Sequence, residues 1–320
     1  MAGLTKFQKA AKAALRNYMG LAPDETLLVV SDEKKRDIGL TLYDMANGMC
    51  REALYIEMKS RGNNGEEPPD AIAKIMKEVD VVVAPTYRSF THTKARREAS
   101  EQGVRVGTMP GITEDTMIRC LSNEPNETVE ITGKVAKRMA GVSKIRVTTL
   151  NGTDITFEVG GRRIIQSTGV LRTISDSGNL PSGEVYLAPI EDKVNGVIYF
   201  DGSISGLGLL KRHIRVDVVN GKAEDITGSS DARVLSRMLN KFGDMGKTIG
   251  EFGVGTNPFA KLCGNILEDE KVLGTIHFAF GNNIGMGGIL DVKSHIDGLV
   301  KSPTVYFDDF LVIEKGKILF

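Results

Sequence analysis

The chain lacks tryptophan altogether and has only three cysteines, Cys50, Cys120 and Cys263, in 320 residues. Their odd number and wide spacing exclude a disulfide framework and a thiolate zinc site, and fit a reducing cytoplasm. Charge of one sign is also missing, since 41 lysines and arginines balance 41 aspartates and glutamates. Without a global positive field, neither nucleic acid nor an acidic lipid surface is an expected partner. No apolar run reaches the roughly 18 residues of a membrane span, and the opening Met-Ala-Gly-Leu-Thr-Lys lacks the apolar centre of a signal peptide. A protein that is neither exported nor embedded in a membrane is expected, hence cytoplasmic. What is present is ordinary globular composition: 41% hydrophobic and 26% charged residues. The length suits two domains of about 100 to 200 residues each.

Periodicity divides the chain. Leu4, Phe7, Ala10, Ala11, Ala14, Leu15 and Tyr18 recur at spacings of three and four, predicting an opening amphipathic helix over residues 4–19. Apolar runs at 27–30, 53–58, 81–84 and 104–108 then alternate with helical patterns near 36–49, 70–78 and 93–102. Such alternation predicts a doubly wound α/β domain with a parallel sheet over residues 1–140, closed by a helical pattern at 129–140. Beyond it the texture changes. Residues 144–159 alternate around the turn Asn151-Gly152, and further turn signals stand at Asn195-Gly196, Asp201-Gly202 and Asn220-Gly221. A β-rich α+β domain over 141–320 is expected, interrupted by a helix at 231–242, and it is where a metal site is anticipated.

With only four histidines, at 92, 213, 277 and 295, the candidates for imidazole chemistry are few. His295 and Asp297 flank Ile296, and on an extended strand positions i and i+2 share a face, so the two polar groups form a chelating pair. Imidazole nitrogen with carboxylate oxygen suits zinc, iron, cobalt or manganese. His277 interrupts the apolar run 276–280 just before the glycine-rich stretch 281–288, a strand end beside a loop. That stretch lacks the Lys-Ser/Thr of a P-loop and the strand-then-helix setting of a dinucleotide fingerprint. Glu184 and Glu251 each follow a glycine and enter an apolar strand. An ionised carboxylate there must be paired with a basic residue, protonated or bound to a cation. His92 reads as a solvated cap residue and His213, after Lys211-Arg212, as surface.

Taken in order, the segments Leu-Pro-Ser-Gly-Glu184-Val, Gly-Glu251-Phe-Gly-Val-Gly-Thr-Asn-Pro, His277-Phe-Ala-Phe-Gly and His295-Ile-Asp297 resemble the motifs of the aminopeptidase T-like metallopeptidases. The resemblance covers residues 160–320 and implies five metal ligands: Glu184, Glu251, His277, His295 and Asp297. The family's Asp-Glu dipeptide is matched by Asp269-Glu270, two residues further upstream of the histidine than in the family. Ile284 stands where the family carries a tyrosine, seven residues after the first metal histidine. Relatives of that family include ring-cleaving dioxygenases of dihydroxypyridines, which hold one ferrous ion through two histidines and an aspartate. His277, His295 and Asp297 match that set equally well.

The resemblance implies, as the first expectation, a cytoplasmic metallo-aminopeptidase-like hydrolase acting as a homodimer on small peptides. One or two divalent ions, zinc, cobalt or manganese, would activate a water and polarise the scissile carbonyl. Glu251 would bridge two ions and Glu184 would be a further ligand or the base, the two roles being exchangeable. The alternatives are an Fe(II)-dependent ring-cleaving dioxygenase of the dihydroxypyridine type and a catalytically inactive member of the fold.

Overall fold

The computed structural model describes residues 3–320, which fall into two compact units. The first comprises the chain up to Glu127 together with Ser167–Ser182. Its centre is a five-stranded sheet in the order Glu52–Met58, Thr26–Asp32, Val81–Ala84, Arg105–Thr108, Ser177–Asn179. All its pairings are parallel. Parallel strands carry helices in their connections and are buried on both sides, so they read as continuous apolar runs. Leu27 to Val30 and Val81 to Ala84 are accordingly buried throughout. Helices punctuate the strands where side chains cap them. Thr5 and Gln8 form a reciprocal capping box at the start of Lys6–Ala13, Thr93 caps Lys94–Glu101, and Thr113 caps Glu114–Leu121.

The second unit comprises Thr128–Gln166 and Gly183–Phe320. An eight-stranded sheet runs in the order 222–227, 214–219, 194–200, 154–158, 144–148, 304–307, 310–314, 317–318. A seven-stranded sheet runs 208–209, 203–204, 295–300, 276–281, 249–255, 184–187, 165–167. Strands 144–148 and 154–158 pair antiparallel around Asn151-Gly152, and Asn220-Gly221, both with positive φ, turns 214–219 into 222–227. The two sheets share one core: the ring of Phe157 meets Phe252 at 4.9 Å and Phe278 at 5.6 Å. The helix Ser230–Asn240 adds Ala232, Leu235 and Leu239 to that core.

The compact units depart from a division near residue 140 in two ways. Helix Asn126–Met139 buries Val135, Ala136 and Met139 in the core that holds Phe157 and Val305, so it belongs almost wholly to the second unit. Residues 167–182 return to the first unit because Ser177–Asn179 pairs with Arg105–Thr108. Among the described residues no helix is long and apolar enough to cross a membrane.

Candidate metal centre

Four neighbouring strands of the seven-stranded sheet carry the five residues singled out in the sequence. Along each strand the side chains alternate between faces. Val185, Leu187, Phe252, Val254, Ile276, Phe278, Phe280, Ile296 and Val300 turn into the core. Glu184, Glu251, His277, His295 and Asp297 turn the other way. Strand 249–255 would break this alternation at its start, because Ile249 is also a core residue. A bulge at Gly250 resolves it: Ile249 pairs with Phe280 and Glu251 with Ala279, so one residue is skipped and the face changes. Only glycine fits there, since a Cβ on Gly250 would lie 2.3 Å from the carbonyl oxygen of Gly281.

Register then brings the donors together. Glu251, Ala279 and Asp297 form one row across three strands, with the small alanine between the two acids. In the adjacent row His277 faces Gly253, where a Cβ would come within 2.1 Å of the imidazole Nε2. His277 Nε2 lies 3.1 Å from Glu251 Oε1 and 3.5 Å from Glu184 Oε2. His295 Nε2 lies 3.2 Å from Glu251 Oε2 and 3.2 Å from Asp297 Oδ1. Two groups therefore have donor atoms within 4.8 Å of one another, Glu184–Glu251–His277 and Glu251–His295–Asp297, and Glu251 belongs to both.

These positions call for a cation. The Nδ1 of His295 is 2.9 Å from the carbonyl oxygen of Asn282, an acceptor, so Nδ1 carries a hydrogen and Nε2 presents its lone pair to two carboxylates. Lone pairs face one another at 3.2 Å unless a proton or a metal ion lies between them. In the metal-free chain the protons do so. Burial works against the imidazolium of His277, but the hydrogen bond to Glu251 and the charge of Glu184 raise it to about 9. Desolvation likewise opposes the charged form of His295, yet Asp297 and Glu251 hold it well above its ordinary value. Burial would raise Glu251, but both histidines bring it down to about 2, and Asp297 is lowered against the same penalty by His295. A divalent ion would do the work of these protons with the same atoms. Ligands at about 2.0–2.2 Å from a common ion are spaced about 3.0–3.5 Å apart, and the donors here are 3.1 to 3.5 Å apart. The buried Nδ1 of His277 has no hydrogen-bond partner.

Several neighbours escaped the sequence reading. Ser205 donates to Asp297 Oδ2 at 3.0 Å and fixes that carboxylate. Tyr186, two residues after Glu184 on the same face and opposite Gly253, has its phenol pushed up by burial and by Glu184 and Glu251. Lys271, 1% exposed, donates to Glu184 Oε1 at 2.8 Å and pairs with Glu270. Burial opposes that ammonium, but the two carboxylates keep it charged. Burial raises the Glu270 carboxyl to about 8. Glu184 is thus both ion-paired and a member of a donor group. Ile284 lies half-exposed on the turn Ile284–Met286. His92 and His213 are exposed, as expected.

Comparison with known proteins gives two kinds of likeness. A model of the family described as 2,5-dihydroxypyridine 5,6-dioxygenase matches residues 18–320. Among solved structures, the 2,5-dihydroxypyridine dioxygenase from Pseudomonas putida KT2440 is similar with a TM-score of 0.85 at 16% identity, over 99% of this chain and 98% of that one. Wild-type AmpT from Thermus thermophilus is similar with a TM-score of 0.72 at 18% identity, over 98% of this chain and 99% of that one. At such identities the two structures speak for the fold. No curated protein matches by sequence.

Proposed function

Because the chain belongs to the 2,5-dihydroxypyridine 5,6-dioxygenase family, we propose that it is a ferrous dioxygenase that opens a dihydroxylated nitrogen-heteroaromatic ring. The family match carries this proposal most directly: it runs through every member of the donor cluster and favours ring cleavage over the peptidase expected first. His277, His295 and Asp297 would hold the ion, two imidazoles and one carboxylate being a set that suits non-haem iron with open positions. Ferrous iron held there would supply the chemistry that activates dioxygen and the ring diol.

The chain's own groups prepare that chemistry. Asn282 accepts from Nδ1 of His295 and so aims Nε2 inward. Ser205 occupies Oδ2 of Asp297 and leaves Oδ1 towards the imidazole. Glu251, with its two oxygens 3.1 and 3.2 Å from the two imidazoles, would receive the proton of a ring hydroxyl. Burial of Glu251, His277 and Asp297 limits bulk water at the reacting positions.

A hydrolase remains the second reading on one observation: Glu251 is shared by two donor groups, as a carboxylate bridging two ions would be. The test is anaerobic loading with Fe(II), followed by an oxygen-electrode assay with 2,5-dihydroxypyridine and a parallel assay of aminoacyl anilides with zinc, cobalt and manganese. Oxygen uptake with ring opening and no anilide cleavage is expected. Anilide cleavage without oxygen uptake puts the hydrolase in its place, and a metal-replete chain active in neither assay is an inactive member of the fold.

A further inference from the structure

The two donor groups that share Glu251 differ in one respect. At the His295–Asp297 end, the Ser205 hydroxyl donates to Asp297 and the Asn282 carbonyl accepts from His295, and both of these partners are neutral. At the Glu184 end a fixed positive charge is already installed, with Lys271 Nζ 2.8 Å from Glu184 Oε1 and paired also with Glu270. Its side chain is 1% exposed, so the ammonium has no aqueous position to withdraw to. The backbone holds it in place as well. The carbonyl of Lys271 accepts from the Asn257 amide at 2.8 Å, just beyond strand 249–255. Gly255, paired in register with Glu184, lets the 271–272 peptide lie directly against the sheet, because a Cβ there would meet the Val272 oxygen at 2.1 Å.

We propose that the Lys271 ammonium stands where a second metal ion would sit on Glu184, and that this side chain is what limits the centre to one divalent cation. The inference rests on the cluster being a metal centre, as the proposed function has it, and adds what sets the number of ions. A divalent ion on Glu184 would lie a few ångströms from a buried like charge and would share a carboxylate already neutralised by it. In a two-ion hydrolase the second cation completes the charge balance; here a side chain does so permanently.

Counting ions tests this without reference to the reaction. The chelator-treated chain is titrated with Mn(II) by calorimetry, and bound manganese is measured by elemental analysis after desalting. The wild type is expected to take up one ion. Glu184→Gln should also take up one, with its affinity within about threefold of the wild type. Lys271→Met should take up two, since Glu184 and Glu270 are then left without their cation. If that variant does not fold, Lys271→Met combined with Glu270→Gln removes the repulsion between the two acids and is expected to bind two ions as well. Two ions in the wild type, loss of the ion in Glu184→Gln, or a single ion in a folded Lys271 variant would each overturn the inference. A one-ion wild type with no oxygenase activity removes the proposed reaction and leaves the role of Lys271 standing, whereas an active two-ion wild type does the reverse.

Discussion

The two faces of strands 184–187, 249–255, 276–281 and 295–300 are built from the same residues in alternation and obey opposite rules. On one face aromatic rings pack together, Phe252 lying 5.5 Å from Phe278 on the next strand and 4.9 Å from Phe157 of the neighbouring sheet. Their stabilisation is apolar burial, which needs no ligand. On the other face four acids, two imidazoles and an ammonium crowd together, and the arrangement is satisfied only by protons or a cation. What separates the faces is one parity, set by the pleat and corrected at Gly250. The fold thus pays for the charged face with the apolar one, and the two should respond differently to mutation, metal and pH.

Removing a ring from the apolar face is the largest break. Phe252→Ala is expected to cost about 3–5 kcal/mol, lowering the melting temperature equally with and without metal; a loss seen only in the metal-loaded protein would contradict the division. The reverse signature is expected for His295→Ala. Its metal-free form should melt below the wild type only by what the lost ion pairs to Glu251 and Asp297 contribute, while the rise on adding metal, about 4 kcal/mol at a thousandfold excess over Kd, should vanish. Calorimetric melting of both forms decides it. Gly253→Ala tests the boundary between the faces, because the new Cβ would collide with the His277 ring. A fall in metal affinity of about 10- to 100-fold is expected, and an affinity unchanged by titration would mean that the ring has another home.

Acidity sharpens the contrast with a smaller effect. His277 is raised from 6.5 to about 9 in the metal-free fold, so its stabilising contribution is whole below pH 6.5 and disappears as pH rises through 9. Glu270, raised from 4.5 to about 8, changes in the same sense, losing stability as pH rises through 8. Metal binding follows the opposite course, since deprotonated imidazole is the ligand. The gap in melting temperature between loaded and metal-free protein should therefore widen from pH 6.5 to 9, and a constant gap would rule out protons standing in for the ion. The smallest effect is expected for Ser205→Ala, which removes one hydrogen bond to Asp297, about 1 kcal/mol, and should weaken metal binding by about tenfold with melting of the apo form hardly altered.

Much of this organisation was legible in the residues, for physical reasons that also explain the gaps. Parallel strands covered on both sides must be apolar at every position, so 27–30 and 81–84 stand out without knowledge of their partners. Ser177–Asn179 does not: three small or polar residues become an edge strand only because Arg105–Thr108 offers them a partner. Helix Glu114–Leu121 was likewise passed over, being a short segment with only two buried aliphatic side chains, Met117 and Leu121. At the site, His295 and Asp297 were legible from their spacing, and Glu184, Glu251 and His277 from unusual polarity within apolar strands. Lys271 was not, because one lysine among 41 basic residues carries no mark of burial until the distant Glu184 pairs with it. Nor did Ser205 or Tyr186 have a signal beyond ordinary strand composition, although Tyr186 shares the parity of Glu184.

The central claim is that the polar face of these four strands encloses a metal ion, and anomalous diffraction from Mn(II)-soaked crystals at the manganese edge tests it most directly. The account predicts one peak per chain, about 2.0–2.3 Å from the Nε2 of His295 and a carboxylate oxygen of Asp297. A peak elsewhere, or none on this face in crystals whose His295 and Asp297 side chains are well ordered, would contradict it.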